Sequence, residues 1–112
     1  MTESITKDQL VERIQEALRG VIDPELGHNV LDLGLIYDVT VEDGGVARIT
    51  MTTTTRGCPA TSYLQEGVRE SVSSVPGVES SHVTLTYEPP WTPDRMSAEA
   101  KQFLGIAEAS GW

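Results

Sequence analysis

The chain is poor in cysteine, aromatics, basic residues and long apolar runs, and each shortage closes off a class of protein. One cysteine, Cys58, stands among 112 residues. A single cysteine makes no internal disulfide, so a disulfide-built secreted domain is excluded and a reducing cytoplasm is the expected home. The closely spaced cysteine or histidine pairs of a tetrahedral zinc site are missing too. Eight basic residues face 17 acidic ones, for a formal net charge of −9. Phosphate backbones need a basic footprint, so neither nucleic acid nor anionic membrane is an expected partner. No apolar run approaches the ~20 residues of a membrane span. The start, Met1 to Lys7, lacks the basic beginning and apolar middle of a signal peptide. Glycine patterns of the Walker or dinucleotide kind are absent. Neither His28 nor His82 has a nucleophile and an acid at triad spacing, and Leu64 stands where a Cys-x5-Arg phosphatase loop needs arginine.

What remains is globular. Hydrophobic residues make up 38% and aromatics 5%, enough for one domain over residues 1–112 with a modest core. Thr6-Lys7-Asp8-Gln9 reads as a capping box, with Ile5 and Leu10 placed to staple it. Leu10, Ile14, Ala17, Leu18 and Val21 follow at helical spacing, and Gly20 and Pro24 end the helix. A loop, Asp23 to Asn29, leads into a strand in which Leu35, Tyr37, Val39 and Val41 alternate with Ile36, Asp38, Thr40 and Glu42. Glu42-Asp-Gly-Gly45 reads as a hairpin turn, and Val46 to Thr55 as the return strand with Ala47, Ile49 and Met51 on one face. A second helix is predicted from about Pro59 to Ser74 on the stripe Leu64, Val68, Val72 and Val75, with Gly67 marking a close contact. Val75-Pro-Gly-Val78 is a turn, and a third strand is predicted over Val78 to Glu88 with Val83, Leu85 and Tyr87 together and His82 on the solvent side. A last helix begins near Pro93 or Ser97 and carries Met96, Ala100, Phe103 and Leu104. The order α-β-β-α-β-α predicts an α+β two-layer sandwich. Its three-stranded sheet is mixed, because a helical crossover makes the second and third strands parallel, and the helices pack mainly on one face.

Cys58 falls where a strand gives way to a helix, just before Pro59, a residue suited to a first helical position. Unpaired backbone N–H groups and the helix dipole favour a thiolate there, with Arg56 adding positive charge. The plain alternative is a small buried apolar side chain. Asp23, Glu25, His28 and Asp32 supply oxygen and imidazole donors within a short stretch, and with Cys58 they would make a mixed metal site if the fold brought them together. Taken singly, Asp23, Glu25 and Asp32 read more simply as turn residues. Trp91, held among Pro89, Pro90 and Pro93, either closes the core or offers an aromatic contact to a partner.

Several of these segments in order resemble one family: Asp23-Pro-Glu-Leu-Gly-His-Asn-Val-Leu-Asp-Leu-Gly-Leu-Ile-Tyr37, Thr54-Thr-Arg-Gly-Cys-Pro59, Val75-Pro-Gly-Val78 and Pro89-Pro-Trp-Thr-Pro-Asp-Arg-Met-Ser97. They are similar to the SufT/PaaD-type metal–sulfur cluster assembly family, whose domain the eukaryotic cytosolic iron–sulfur targeting subunits share, over about residues 6–103. The resemblance implies a small α/β sandwich and a role in iron–sulfur protein maturation. It places Asp23, Pro24, Glu25, Gly27 and Asn29 in the family's Asp-Pro-Glu loop, Asp32, Leu33 and Gly34 in its Asp-Leu-Gly segment, and Cys58 at its reactive cysteine. The PaaD branch carries a cysteine-bearing C-terminal extension that this sequence lacks, so the expectation falls outside that branch.

The expected site is therefore a pocket of Asp23, Glu25, Asn29, Asp32, Arg56 and Cys58. Cys58 would be a shared metal ligand, Asp23, Glu25 and His28 weaker ones, and Trp91 a partner contact. The expected function is that of an accessory factor without enzymatic activity. It would carry a transient iron–sulfur cluster or iron, or act as an adaptor between the assembly machinery and apo-protein clients. One cysteine cannot supply the four ligands a cluster usually takes, so a cluster would be shared within a homodimer, with a partner or with a small thiol. The alternatives are a thiol-dependent hydrolase or transferase using Cys58, and a purely structural interaction module.

Overall fold

A computed structural model describes residues 6–54 and 61–105. The first helix, α1, spans Lys7–Leu18. Its capping box is formed in both directions: the Gln9 backbone N–H donates to Thr6 Oγ1 at 3.0 Å, and the Thr6 N–H donates to Gln9 Oε1 at 3.0 Å. Leu10, Ile14 and Leu18, one turn apart, bury the inner stripe.

Strands β1 (Ile36–Glu42) and β2 (Val46–Met51) form the hairpin, antiparallel from Glu42↔Val46 to Ile36↔Met51. Gly44 and Gly45 take φ of 85° and 79° in its turn, a backbone glycine adopts without a Cβ clash. Helix α2 (Thr61–Ser73) crosses over to β3 (Ser80–Leu85), which lies parallel to β2 from Val46↔Ser80 to Met51↔Leu85. The sheet order is β1-β2-β3, so the crossover inferred from the sequence is the one adopted.

Alternation does the rest. Val39, Val41, Ala47, Ile49, Met51, Val83 and Leu85 share the sheet face that meets α1 and α2, while Asp38, Thr40, Arg48, His82 and Thr84 are exposed on the other. Between the layers lie Ile14, Leu18, Leu33, Leu35, Ile49, Met51, Leu64, Val68 and Val72, all essentially without solvent contact. Burying each such side chain contributes about 1.5–3 kcal/mol. Two-layer packing with the helices to one side is thus as expected.

Element ends differ from expectation. β2 stops at Met51 rather than Thr55, because its antiparallel partner β1 begins at Ile36, the residue that pairs with Met51. The Thr52 N–H still finds an acceptor, but it is the Leu35 carbonyl, in the loop before β1, at 2.8 Å. β3 is shorter than Val78 to Glu88 at both ends. The Val78 N–H turns back to the Val75 carbonyl, and beyond Leu85 no β2 residue remains to pair except through Thr86 N–H to Met51 O. The last helix takes both starts read from the sequence: a short 3-10 turn at Pro93–Arg95, then α3 over Ala98–Leu104 with Ser97 Oγ accepting the Ala100 N–H. Met96 and Ala100 are buried as expected, but Phe103 is 60% exposed. It sits off the Met96–Ala100–Leu104 line and packs instead on a loop.

Candidate functional site

That loop is the stretch between α1 and β1. Backbone bonds fold residues 21–30 into a miniature hairpin: Asp23 N–H to His28 O at 2.9 Å, Val30 N–H to Val21 O at 2.9 Å, and a bridge pairing Ile22 with Asn29. Asp23 closes the turn. Its Oδ1 accepts the N–H groups of Glu25 at 2.7 Å and Leu26 at 3.2 Å, and its carbonyl accepts the Gly27 N–H. The residue is only 2% exposed, so this carboxylate is directed at its own backbone, the local role aspartate plays in turns. Glu25 is exposed at the tip.

Asn29 and Asp32 are brought together. Asn29 Oδ1 accepts the Asp32 N–H at 2.8 Å, and Asn29 Nδ2 donates to Asp32 Oδ2 at 2.9 Å. Arg19, at the end of α1, donates its Nη1 to Asp32 Oδ1 at 3.2 Å. His28 Nε2 lies 3.6 Å from Asp32 Oδ2, and its ring packs on Phe103 with centroids 4.8 Å apart. Neither Arg19 nor Phe103 was marked by the sequence as belonging here. They lie 13 and 71 positions from Asp32, and only the chain's path connects them.

The carboxyl of Asp32 is held below the ordinary aspartate value of 3.8. Burial alone pushes it upward. The Asn29 hydrogen bond, the Arg19 guanidinium, His28 and Ser97 together more than offset that push. In the unfolded chain the carboxyl returns to its ordinary value, so the folded state holds this proton less tightly. Its contribution to stability is complete above the ordinary value and is lost as pH falls through the depressed one. Asn29→Ala should therefore raise the Asp32 pKa and move acid unfolding to higher pH. A carboxyl-carbon NMR titration reads both; Asp32 titrating at or above 3.8 in the unsubstituted protein would show that the network does not hold its charge.

Arg56 and Cys58 lie outside the described residues. The residues bracketing that segment are polar and sequestered. Thr52 and Thr53 are buried, Thr53 Oγ1 lies 3.1 Å from the Tyr87 hydroxyl, and Thr61 Oγ1 is buried with no hydrogen-bond partner among the described residues. No group of three or more His, Asp or Glu side chains is arranged to hold a metal among the described residues. Asp23, Glu25 and His28 thus make no such set by themselves.

Trp91 is partly buried against the core, and its indole N–H donates to the Leu33 carbonyl at 2.8 Å. Arg95 lies over the Tyr37 ring at 4.5 Å, and Tyr37 donates its hydroxyl to Pro89 O. Among the described residues no helix is long and apolar enough to cross a membrane.

Residues 11–85 match the family described as iron-sulfur cluster assembly protein. The chain is 42% identical over 100 residues to the Fe-S protein maturation auxiliary factor YitW of Bacillus subtilis, covering 89% of this chain and 98% of that one. It is 41% identical over 87 residues to the Fe-S protein maturation auxiliary factor SufT of Staphylococcus aureus, covering 78% and 99%. The crystal structure of a domain of unknown function, DUF59, from Bacillus anthracis superposes with a TM-score of 0.85 at 40% identity, over 90% of this chain and 96% of that one.

Proposed function

Because the chain belongs to the iron-sulfur cluster assembly protein family, we propose that it is an accessory factor in iron–sulfur protein maturation, with Cys58 as its working thiol. The observation that carries this is the near end-to-end likeness to maturation auxiliary factors. In the sequence Cys58 lies three residues before Thr61, the first residue of α2. For a thiol just ahead of a helix, as the sequence predicts here, orphan N–H groups and the dipole would favour the thiolate, the form that ligates iron. One thiol per chain leaves a cluster short of ligands. The cargo, a transient cluster or iron, is therefore shared with a second copy, a partner or a small thiol. Assembly machinery and apo-protein clients are the proposed partners, and the cytoplasm the proposed compartment. A contact role for Trp91 would use the exposed part of its ring, since its N–H is already committed to Leu33.

Anaerobic reconstitution with iron and sulfide tests the carrier role. The expected result is a charge-transfer absorption band that disappears in Cys58→Ala. Restoration of an iron–sulfur enzyme in cells lacking this protein tests the adaptor role, and Cys58→Ala should fail to restore it. A variant without the thiol that both loads a cluster and supports maturation would remove Cys58 from the function.

A further inference from the structure

A groove of about 380 Å³ runs between the end of α1 and α2, lined among others by Val21, Ile22, Tyr63, Gly67, Glu70 and Ser71. Ile22 is 47% exposed and Tyr63 66% exposed. Phe103 is the other large hydrophobic left so open among the described residues. Two large apolar side chains flanking one concavity are a mark of an interaction site.

Gly67 strengthens the case. A glycine inside a helix weakens it relative to alanine, so a reason is needed. The sequence suggested a close helix contact. The structure gives a different answer: a Cβ built on Gly67 would meet Val21 Cγ1 at 3.6 Å, an ordinary contact. The packing of the two helices therefore does not require glycine. What the missing side chain does is keep the groove floor open. The walls are also fixed to each other, because Ser71 Oγ donates to the Ala17 carbonyl at 3.0 Å across the helix pair.

Charge identifies the occupant. Glu70 stands on the rim, while Glu66, one turn before it, is already paired with Arg69. The neighbouring guanidiniums are engaged: Arg69 pairs with Glu66, and Arg19 pairs with Asp32 and Glu16. The chain as a whole carries −9, which disfavours a second copy as the occupant. We infer that this groove docks a short segment of a partner protein that presents an aliphatic or aromatic side chain beside a lysine or arginine. The inference deepens the adaptor reading and rests on it only for the partner's place in maturation.

The 380 Å³ groove beside Lys7, Leu10 and the hairpin turn is similar in size, but it has no exposed large hydrophobic at its rim and its Lys7 is tied to Asp43 at 2.8 Å. It offers no comparable anchor.

The test uses the full chain and three labelled peptides: one with phenylalanine between lysines, one with glutamates replacing the lysines, and one with serine replacing the phenylalanine. The first should bind saturably, and the other two at least about 10-fold more weakly. Gly67→Leu, which fills the floor, should weaken the first peptide by a similar factor. Tyr63→Ser and Ile22→Ser, at exposed positions that do not threaten folding, should weaken it too, and Glu70→Lys should reduce the preference for lysine over glutamate. Gly67→Ala should raise the melting temperature. Absence of saturable binding, equal binding by the Gly67, Tyr63 and Ile22 variants, or a preference for the acidic peptide would overturn the inference. So would concentration-dependent self-association that Gly67→Leu abolishes, since the occupant would then be a second copy. Cluster loading is measured alongside. A Gly67→Leu protein that loads like the unsubstituted chain separates failure of the groove from failure of the carrier role.

Discussion

Gly34→Ala should lower the unfolding free energy by roughly 2–5 kcal/mol, combining the strain of a side chain at positive φ with overpacking. Gly34 has φ of 77°, and an added Cβ would lie 2.3 Å from the Arg95 carbonyl oxygen and 2.6 Å from its Cβ. Most of this obstruction is backbone, so no rotamer change relieves it. Relief requires the Pro93–Arg95 turn to move off the loop, and Ser97, whose N–H donates to the Asp32 carbonyl at 2.7 Å, would move with it. Gly44→Ala is the matched control. Its φ is 85°, but nothing stands within 4 Å of the added carbon, so only the conformational penalty of about 1–2 kcal/mol remains. Urea unfolding of the two variants gives the comparison directly. Equal losses would mean that the close approach to Arg95 carries no weight.

Asp23→Ala should cost roughly 2–3 kcal/mol. Its carboxylate oxygen accepts two backbone N–H bonds in a site almost closed to water, and charge-assisted bonds of this kind contribute about 1.5–3 kcal/mol each, less where an exposed N–H recovers a water. Asp23→Asn keeps an oxygen in the same place and should recover most of the loss. The pair of variants separates two roles for one residue. If Asp23→Asn is stable and still supports iron–sulfur maturation, the residue shapes the loop. If it is stable and inactive, the negative charge itself is used, as a metal ligand's would be. An Asp23→Ala protein as stable as the parent would contradict the geometry of the turn.

The parts of the fold legible in the sequence were those decided by neighbours along the chain. The capping box needs only Thr6 and Gln9. The inward face of β2 needs only alternation at Ala47, Ile49 and Met51. The parallel pairing of β2 with β3 follows from a general rule about crossovers. Contacts between distant residues were not legible. Nothing near His28 announces Phe103, and nothing near Asp32 announces Arg19. The bulge between Ile36 and Asp38 interrupts a pattern that looked regular. The Asp23 turn was readable because aspartate next to proline has a local use. The pairing of Asn29 with Asp32 spans one helical turn and could have been found as an Asn-x-x-Asp spacing, but the charge balance that depresses Asp32 depends on α1 ending beside it.

The family model's match ends at residue 85, yet much of what fastens the Asp23–Gly34 loop comes later. Trp91 satisfies the Leu33 carbonyl, Ser97 satisfies that of Asp32, Arg95 closes over Gly34, and Phe103 covers His28. The family match and the loop's mechanical integrity therefore have different boundaries in this chain. A fragment trimmed to residues 11–85 would keep the loop and lose its clasp. Any shorter relative that preserves the loop has to secure it by other means: a fused neighbour, a different tail or a bound partner.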